Sequence, residues 1–359
     1  MPKKFKILFL IFAIFLAIFV VASILVAVYA PKIVEDQLQQ NLKVKVSLSK
    51  ISLTLPLRIT LEKLEIGDLA SIKKISFSPN LISLLFGKIV IHGLNITEPV
   101  INLVQSSDGT LNLPVLEQKG SALAIYLTSF KVQDGKIIFT DRKVSAAGYQ
   151  VIVEKLDVSV AKVSLPILSL ATNFSLSAQL ATSAGKPFGN IIFSGWLDYL
   201  AKDMDAKLTV KDMDITNFSP YYGDFISNKK LLSAKLDLYS TFKAKNNALN
   251  IMTDLNLSQL VYETAEEQQQ LGLDLMKNAL DLFTDTKGNL HLVFDIDTRL
   301  DNPAISQDKL KSIILKAATK NLRNQSPEQL VDKVSKIIDK YKDYGKELKG
   351  LFSNGRDKN

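Results

Sequence analysis

The stretch LKVKVSLSKISLTLPLRITL, residues 42–61, alternates apolar and polar residues along almost its whole length. A period of two is typical of a β-strand with one apolar face and one face in water. The alternation slips by one residue between Leu48 and Ile51 and then continues to Leu61. Such a slip indicates a β-bulge, because a bulge adds one residue to one strand of a pair.

The same alternation returns along most of the chain. It covers Val151 to Val160, where it slips again, and then residues 174–180, 206–210, 234–238 and 290–296. Turn-forming residues separate the runs, at Asp108-Gly109, Asp134-Gly135, Lys245-Asn246-Asn247 and Lys287-Gly288-Asn289. The pattern predicts a mainly β fold whose long antiparallel sheet has about a dozen strands or more.

A sheet of this size must deal with its unpaired edges and its apolar face. One solution is a sandwich or barrel that fills itself. The other is an apolar trough, which would be a site for a ligand or a membrane. Periodicity alone leaves both open. Helical spacing occurs in two short stretches, Pro79–Phe86 after a Ser78 cap and Leu271–Phe283.

The N-terminal segment Ile7–Ala30 has no charged residue and follows Lys3, Lys4 and Lys6. This length suits one helix across a hydrocarbon core of about 30 Å. Pro31 directly follows the small-residue site Val28-Tyr29-Ala30 and disfavours cleavage there, so we favour a transmembrane anchor over a removed signal peptide. The lysines place the N-terminus in the cytoplasm and the rest of the chain across the membrane.

The C-terminal tail, residues 305–359, carries apolar residues at helical spacing and a net charge of +6. We predict two amphipathic helices here. Their lysines lie largely off the apolar stripe, and the candidates for contact with an anionic membrane surface are Lys333, Lys336, Lys340 and Lys346. We favour a helical cover over the end of the sheet, with a solvated lysine face, and membrane contact is the alternative. We divide the chain into residues 1–30 (basic tip and anchor), 31–304 (β domain) and 305–359 (basic tail).

Composition excludes several classes of protein. The chain has no cysteine, which rules out disulfides and thiolate chemistry. Its 47% hydrophobic content argues against disorder. The net charge of +8 lies at the two ends and leaves the middle near neutral, which argues against a nucleic-acid-binding core. None of the common catalytic or nucleotide-binding motifs occurs.

We interpret the two histidines, four of the aspartates and the tryptophan as structural residues. His92 and His291 lie on alternating strands, where a packed or exposed histidine is expected. Four carboxylates, Asp203, Asp205, Asp212 and Asp214, lack the ligand pattern of a calcium loop and are expected on a wet face. Trp196, near the end of a strand, is expected to pack in the core or at an edge. We therefore predict no enzymatic activity, no cofactor and no metal.

Several motifs, in this order, resemble the AsmA-like family. The stretch FSPNLISLLFGKIVIHGLNITEPVINLVQSSDGTLNL, residues 77–113, has a short helix, a strand, a Pro-containing strand and a D-G-x-x-N-L turn. FKVQDGKIIFTD, residues 130–141, is similar to a recurrent hairpin of that family. Phe218-Ser219-Pro220-Tyr221 and the segment 271–303 resemble the middle and the closing unit of one branch.

The resemblance implies a periplasmic protein of a diderm bacterium, held in the inner membrane by a single N-terminal helix. It also implies a repeated β-groove, a long curved sheet with an apolar concave face. Larger family members are implicated in phospholipid movement between membranes or in outer-membrane integrity. The expected partners are phospholipid or another envelope lipid, the inner membrane and another envelope protein that extends the groove. A structural envelope-assembly factor with a filled sheet is the alternative.

Candidate groove residues come from the alternating apolar set, although the pattern does not tell which strand face is concave. They are Leu176, Leu208, Val210, Leu236, Leu238, Leu255, Leu257, Leu290, Leu292 and Phe294.

Overall fold

A computed structural model describes residues 3–86, 88–114, 125–165, 171–222, 231–262 and 289–303, with a few positions between 305 and 320. Within the long N-terminal helix, the side chains of residues 3–15, 17, 18 and 22 are outside this description. The predicted helix 271–283 and the four candidate lysines of the tail also lie outside the described residues.

The described chain is mainly β, with twelve strands and three helices. The helices are α1 (Lys3–Leu42), α2 (Leu81–Leu85) and α3 (Ser219–Tyr222), the last directly after a 3-10 turn at Ile215–Phe218. The strands are β1 (Val46–Thr54), β2 (Arg58–Ile66), β3 (Ala70–Pro79), β4 (Ile89–Gln105), β5 (Ile125–Asp141), β6 (Tyr149–Leu165), β7 (Thr172–Ala181), β8 (Pro187–Asp198), β9 (Asp203–Asp214), β10 (Leu231–Lys245), β11 (Ala248–Tyr262) and β12 (Leu290–Arg299). Among the side chains described, no helix has the length and apolar character needed to cross a bilayer.

All twelve strands form one sheet in sequence order, which confirms the predicted meander. The prediction of a purely antiparallel sheet is wrong at one pair, because β4 and β5 run parallel, with Ile96 beside Val132. Between these strands the chain has the 19 residues 106–124, enough for it to return to the end of the sheet where β4 began. Alternation looks the same in parallel and antiparallel strands, so the sequence pattern could not show this reversal.

The predicted turn at Asp134-Gly135 is also wrong, because both residues lie inside β5. Asp134 has a left-handed backbone with φ of 52°, and the pairing of β5 with β6 shifts on both sides of Gly135. A β-bulge, and not a hairpin turn, therefore uses these residues. The Asn246-Asn247 turn is confirmed, with φ of 47° and 74°. The short helix α2 is confirmed, but Asn80 caps it by accepting a bond from the N–H of Ser83 (3.1 Å).

Left-handed residues inside the strands explain the slips in the alternation. They include Lys63 in β2, Glu98 in β4, Asp134 in β5 and Lys155 in β6. Lys63 and Lys155 each lie between two apolar positions that are three apart, Leu61 and Leu64 in β2 and Val153 and Leu156 in β6. A left-handed residue turns the chain locally, so that the apolar side chains before and after it stay on one face. The slip between Val153 and Leu156 is confirmed as a bulge, since the pairing of β6 with β7 shifts there.

The slip between Leu48 and Ile51 has a different origin from the one predicted. The pairing of β1 with β2 keeps one register from end to end, so β1 contains no extra residue. The ladder is interrupted where Ser49 stands opposite Lys63, and Lys63 has a φ of 53°. Both strands change phase at the same level, and their apolar residues stay opposite one another.

Helix α1 covers the start of the sheet. Its residues Val26, Ala30, Val34, Leu38 and Leu42 recur every four positions and pack against the buried cluster of β1 and β2, formed by Val46, Leu48, Ile51 and Leu64. A side chain of α1 also occupies the free edge of β1, because the carboxylate of Glu35 accepts the N–H of Leu48 (2.7 Å). This bond protects the first part of the β1 edge against pairing with another chain.

The chain divides into two compact units. Unit 1 contains Met1–Leu208 with Lys243–Asn247, and unit 2 contains Thr209–Phe242 with Ala248–Asn359.

Replacing Glu35 by Ala should lower the free energy of unfolding by about 1 kcal/mol, because the N–H of Leu48 loses its acceptor on a partly covered edge. Urea unfolding of the full chain in mild detergent, followed by circular dichroism, measures the change. Glu35→Gln retains an acceptor and should lose clearly less. Equal losses in the two variants would show that the bond to Leu48 is unimportant.

Gly195→Ala should destabilise the fold by about 1–3 kcal/mol, because the added methyl group meets backbone. A Cβ at Gly195 would lie 2.3 Å from the carbonyl oxygen of Asp205 and 2.5 Å from the Cα of Ala206. Thermal unfolding compares this variant with Ser194→Ala, on the same strand with its side chain on the other face. An unchanged melting temperature for Gly195→Ala would contradict the close approach of β9.

An apolar sheet face as the candidate functional site

One face of the sheet in unit 1 carries uninterrupted rows of apolar side chains. Residues paired directly across neighbouring strands share a face, so the registers define each row. One row crosses six strands, β3 to β8, and contains Ile75, Ile96, Val132, Val158, Leu176 and Phe193. A second row crosses β4 to β7 and contains Ile101, Ile137, Val153 and Leu180. We call this surface the apolar face.

The middle of the apolar face lacks a second layer within the described part of the chain. Val132, Val158, Leu176 and Phe193 are all partly exposed, although they lie in the interior of the sheet. Among the residues described, no large side chain is less than 2% exposed. A sheet packed under a complete second layer would bury such side chains fully. Phe174 and Phe193 contact each other across the strands, with ring centroids 5.0 Å apart.

The opposite face of the same strands is polar beside the first row, whereas beside the second row it carries Ile138, Ile152 and Ala181. Its side chains on β5 to β7 include Lys131, Gln133, Asp157, Ser159, Ser175 and Ser177. A shallow hollow of about 280 Å³ lies there, above the small serine side chains. The Asp157 carboxylate beside it already accepts the N–H of Asp134 (3.1 Å). This hollow therefore has the character of a solvated surface, whereas the apolar face has the character of a hydrocarbon site.

In unit 2, the predicted groove residues also share one face. Leu255 pairs with Leu292, Leu257 pairs with Leu290, and Phe294 follows on the same side of β12. Leu290 and Leu292 are only 7% and 3% exposed. They form a buried cluster with Ala317 of the tail. Ala317, one of the few tail residues that the structure describes, thus packs on the sheet here. Whether the whole tail is a cover or contacts a membrane stays a prediction.

The remaining candidates on β9 and β10 have varied surroundings. Leu208, Leu236 and Leu238 are partly exposed, and Val210 is buried at 7%. Beyond Leu238 on the same side of β10, Ser240 and Thr253 form a buried hydroxyl–hydroxyl bond of 2.9 Å. This polar pair interrupts the apolar surface, so unit 2 offers a shorter hydrocarbon surface than unit 1.

The open part of the apolar face contains few of the predicted groove residues. Of the ten predicted residues, Leu176 alone belongs to the open part of the face on β3 to β8. Sequence reasoning missed its neighbours in the row, although the same alternation was visible in β5, β6 and β7. Only the registers show that these separate runs join into one surface.

The polar residues singled out from the sequence have structural partners. His92 is within 3.3 Å of both Asn80 and Thr128, and His291 contacts Asp254 at 2.8 Å. No group of three or more histidine, aspartate or glutamate side chains that could hold a metal ion occurs within the described residues. The absence of a cofactor and of catalysis stays a prediction.

The aspartates near β9 stabilise turns and bulges. Asp214 caps the 3-10 turn by accepting the N–H of Thr216 (3.1 Å). The N–H of the left-handed Asp212 donates to the carboxylate of Asp237 (2.8 Å). This arrangement repeats the one between Asp134 and Asp157, and in both the carboxylate acts as an acceptor for a bulged backbone.

Asp203 holds the turn between β10 and β11. It accepts a bond from the ammonium group of Lys245 (2.5 Å) and another from the N–H of Asn246 (2.7 Å). The bond from Lys245 is the main cause that lowers the pKa of Asp203 below its ordinary value of 3.8.

No model of a protein family matches this chain, and no curated protein matches it either. The resemblance to the AsmA-like family therefore stays a prediction from the motifs.

The contribution of Asp203 to the stability of the fold should be lost at acid pH. A carboxylate with a lowered folded-state pKa stabilises the fold above its ordinary pKa, and this contribution is lost as the pH falls below 3.8 through the folded value. Asp203→Asn should therefore be less stable than the parent chain at neutral pH. Urea unfolding from neutral to acid pH should show the two curves converging below 3.8. A constant difference at every pH would contradict the role of the charge.

Proposed function

We propose that this chain is an AsmA-like protein that binds lipid acyl chains on the apolar face and takes part in phospholipid transport or outer-membrane homeostasis. It is anchored in the inner membrane of a diderm bacterium by its N-terminal helix, with the sheet in the periplasm. Its partners are phospholipid, the inner membrane and an envelope protein that extends the groove.

The single observation that carries the proposal is the open apolar face of unit 1. Six strands spaced about 4.8 Å apart span about 24 Å. Burial of each methylene of an acyl chain contributes about 0.8 kcal/mol, so such a surface binds lipid tails without placed polar groups. This fits the apolar character of the row from Ile75 to Phe193.

The proposed anchor rests on the sequence Ile7–Ala30, which has no charged residue, and on the unbroken course of α1 from Lys3 to Leu42. The second half of the same helix packs on β1 and β2. One helix would thus serve both as membrane anchor and as the first cover of the sheet. That arrangement fixes the sheet at a short distance from the membrane.

One observation favours the alternative of an envelope-assembly factor without lipid. In unit 2, Ala317 already fills the apolar face at Leu290 and Leu292. If lipid enters only unit 1, the two functions are compatible within one chain. If no lipid enters, the structural role remains.

Site-specific photocrosslinking in the native membrane tests lipid binding. A benzophenone amino acid in place of Phe193 should capture phospholipid, detected by mass spectrometry. The same probe in place of Ile192, whose side chain lies on the polar face and is 52% exposed, should capture none. Probe adducts confined to protein at both positions would contradict lipid binding.

A matched pair of substitutions completes the test. Leu176→Asp puts a carboxylate next to Phe193 on the apolar face and should reduce the lipid adduct several-fold, because an acyl chain cannot solvate a charge. Ser175→Asp adds the same charge to the polar face and should leave the adduct unchanged. Circular dichroism confirms that both variants are folded.

A further inference from the structure

The two ends of the sheet in unit 1 differ in chemistry. The registers place the turn after β1 beside the end of β3, since Ile59 pairs with Phe77. They continue this end of the sheet through the starts of β4 and β5, where Ile89 pairs with Ile125, to the end of β8, where Thr172 pairs with Leu197. The β1–β2 turn, helix α2 and the β8–β9 turn therefore all lie at the same end.

Exposed large apolar side chains collect at this end. We call them the apolar rim: Leu55 (51% exposed), Leu81 (57%), Ile82 (70%), Phe86 (76%), Trp196 (36%), Tyr199 (60%) and Leu200 (52%). They come from three separate chain segments.

The opposite end of unit 1 is mainly polar. Its turns contain Asp68, Asp108, Arg142, Lys143 and Lys186. Leu111 and Leu113 are its exposed large apolar residues within the described chain. Exposed apolar side chains are usually scattered singly. Seven of them along one end of the sheet, over seven strand spacings or about 34 Å, indicate an extended interaction surface.

Helix α1 points toward the apolar rim. Gln39 lies near the N–H of Val46 (3.5 Å), and Glu35 lies at the N–H of Leu48 (2.7 Å). Toward its N-terminus, α1 thus runs along β1 in the direction of Leu55. Leu55 is about 23 Å beyond Leu48, whereas the 32 helical residues from Glu35 back to Lys3 span about 48 Å. The first part of α1, about 25 Å from Lys3 to about Phe19, therefore extends past the rim and includes about half of the uncharged segment.

We propose that the apolar rim docks on the surface of the lipid bilayer in which α1 is anchored. This rests on the anchor in the proposed function. The rim combines tryptophan and tyrosine, which favour the membrane–water interface, with aliphatic side chains that enter the acyl region. Arg58 and Lys88 are exposed beside it and suit anionic headgroups. The end of the apolar face then meets the outer leaflet of the inner membrane, so an acyl chain passes between them without crossing water.

The chain's only tryptophan is a built-in probe, because Trp196 belongs to the rim. The full chain is reconstituted in vesicles of phosphatidylethanolamine and phosphatidylglycerol, with and without bromine on the acyl chains. Trp196 should be quenched by the brominated lipid and protected from aqueous iodide. Leu200→Asp should reduce the quenching several-fold. Leu113→Asp, a leucine of similar exposure at the opposite end, should leave it unchanged.

Three results would overturn the proposal. The chain could float with the vesicles while Trp196 stays open to iodide and is unaffected by bromine. Trp196 could be shielded from iodide without bromine quenching, which would indicate a protein contact. The chain could also fail to associate with vesicles.

The variant Leu176→Asp distinguishes docking of the rim from lipid binding on the apolar face. Trp196 pairs with Asn173 on the polar face, so quenching that comes from the bilayer should persist in this variant. Loss of the quenching in Leu176→Asp would overturn rim docking and point to lipid held on the apolar face. In the chain without the Leu176 substitution, absence of a lipid adduct at position 193 together with full quenching of Trp196 would contradict lipid binding alone.

Discussion

The structure depends on keeping apolar side chains of neighbouring strands on one face of a long sheet. Strands of up to 17 residues gather local irregularities, and a one-residue slip would turn an apolar set into water. The chain solves this with left-handed residues at matching levels. Glu98 lies beside Asp134 in the parallel pair, and the N–H of Asp134 is held by the carboxylate of Asp157 in the next strand. Because the slips occur together, the row from Ile75 to Phe193 stays continuous.

Such a face needs a cover, and this chain supplies covers at separate places. Helix α1 packs on β1 and β2 and occupies the β1 edge through Glu35. In unit 2, Ala317 packs on Leu290 and Leu292. The face on β4 to β8 has no such layer in the described part of the chain, and the proposed acyl chains would supply it. Hydrophobic burial would then be completed by a ligand rather than by protein, which explains how a binding protein can work without catalytic motifs.

Much of the fold could be predicted from alternation alone. The strands β6, β7, β9, β10 and β12 and the slip between Val153 and Leu156 follow directly from it. The Asp134-Gly135 pair was misread, because a left-handed backbone serves a bulge as well as a turn. The direction of β5 was missed, because alternation carries no information about direction. The candidate site was predicted mainly in unit 2, whereas the open face lies in unit 1, since exposure depends on what packs above a strand.

By itself, the sequence determined that the protein is mainly β, that its strands have one apolar face, and that an uncharged segment precedes them. These properties follow from local spacing and composition, which each segment carries on its own. Only the tertiary structure decided that separate apolar runs join into rows, that α1 runs along β1 toward the apolar rim, and that seven exposed residues from three segments lie at the same end of the sheet. Strand register and order cause this, because they bring together residues that are distant in the chain.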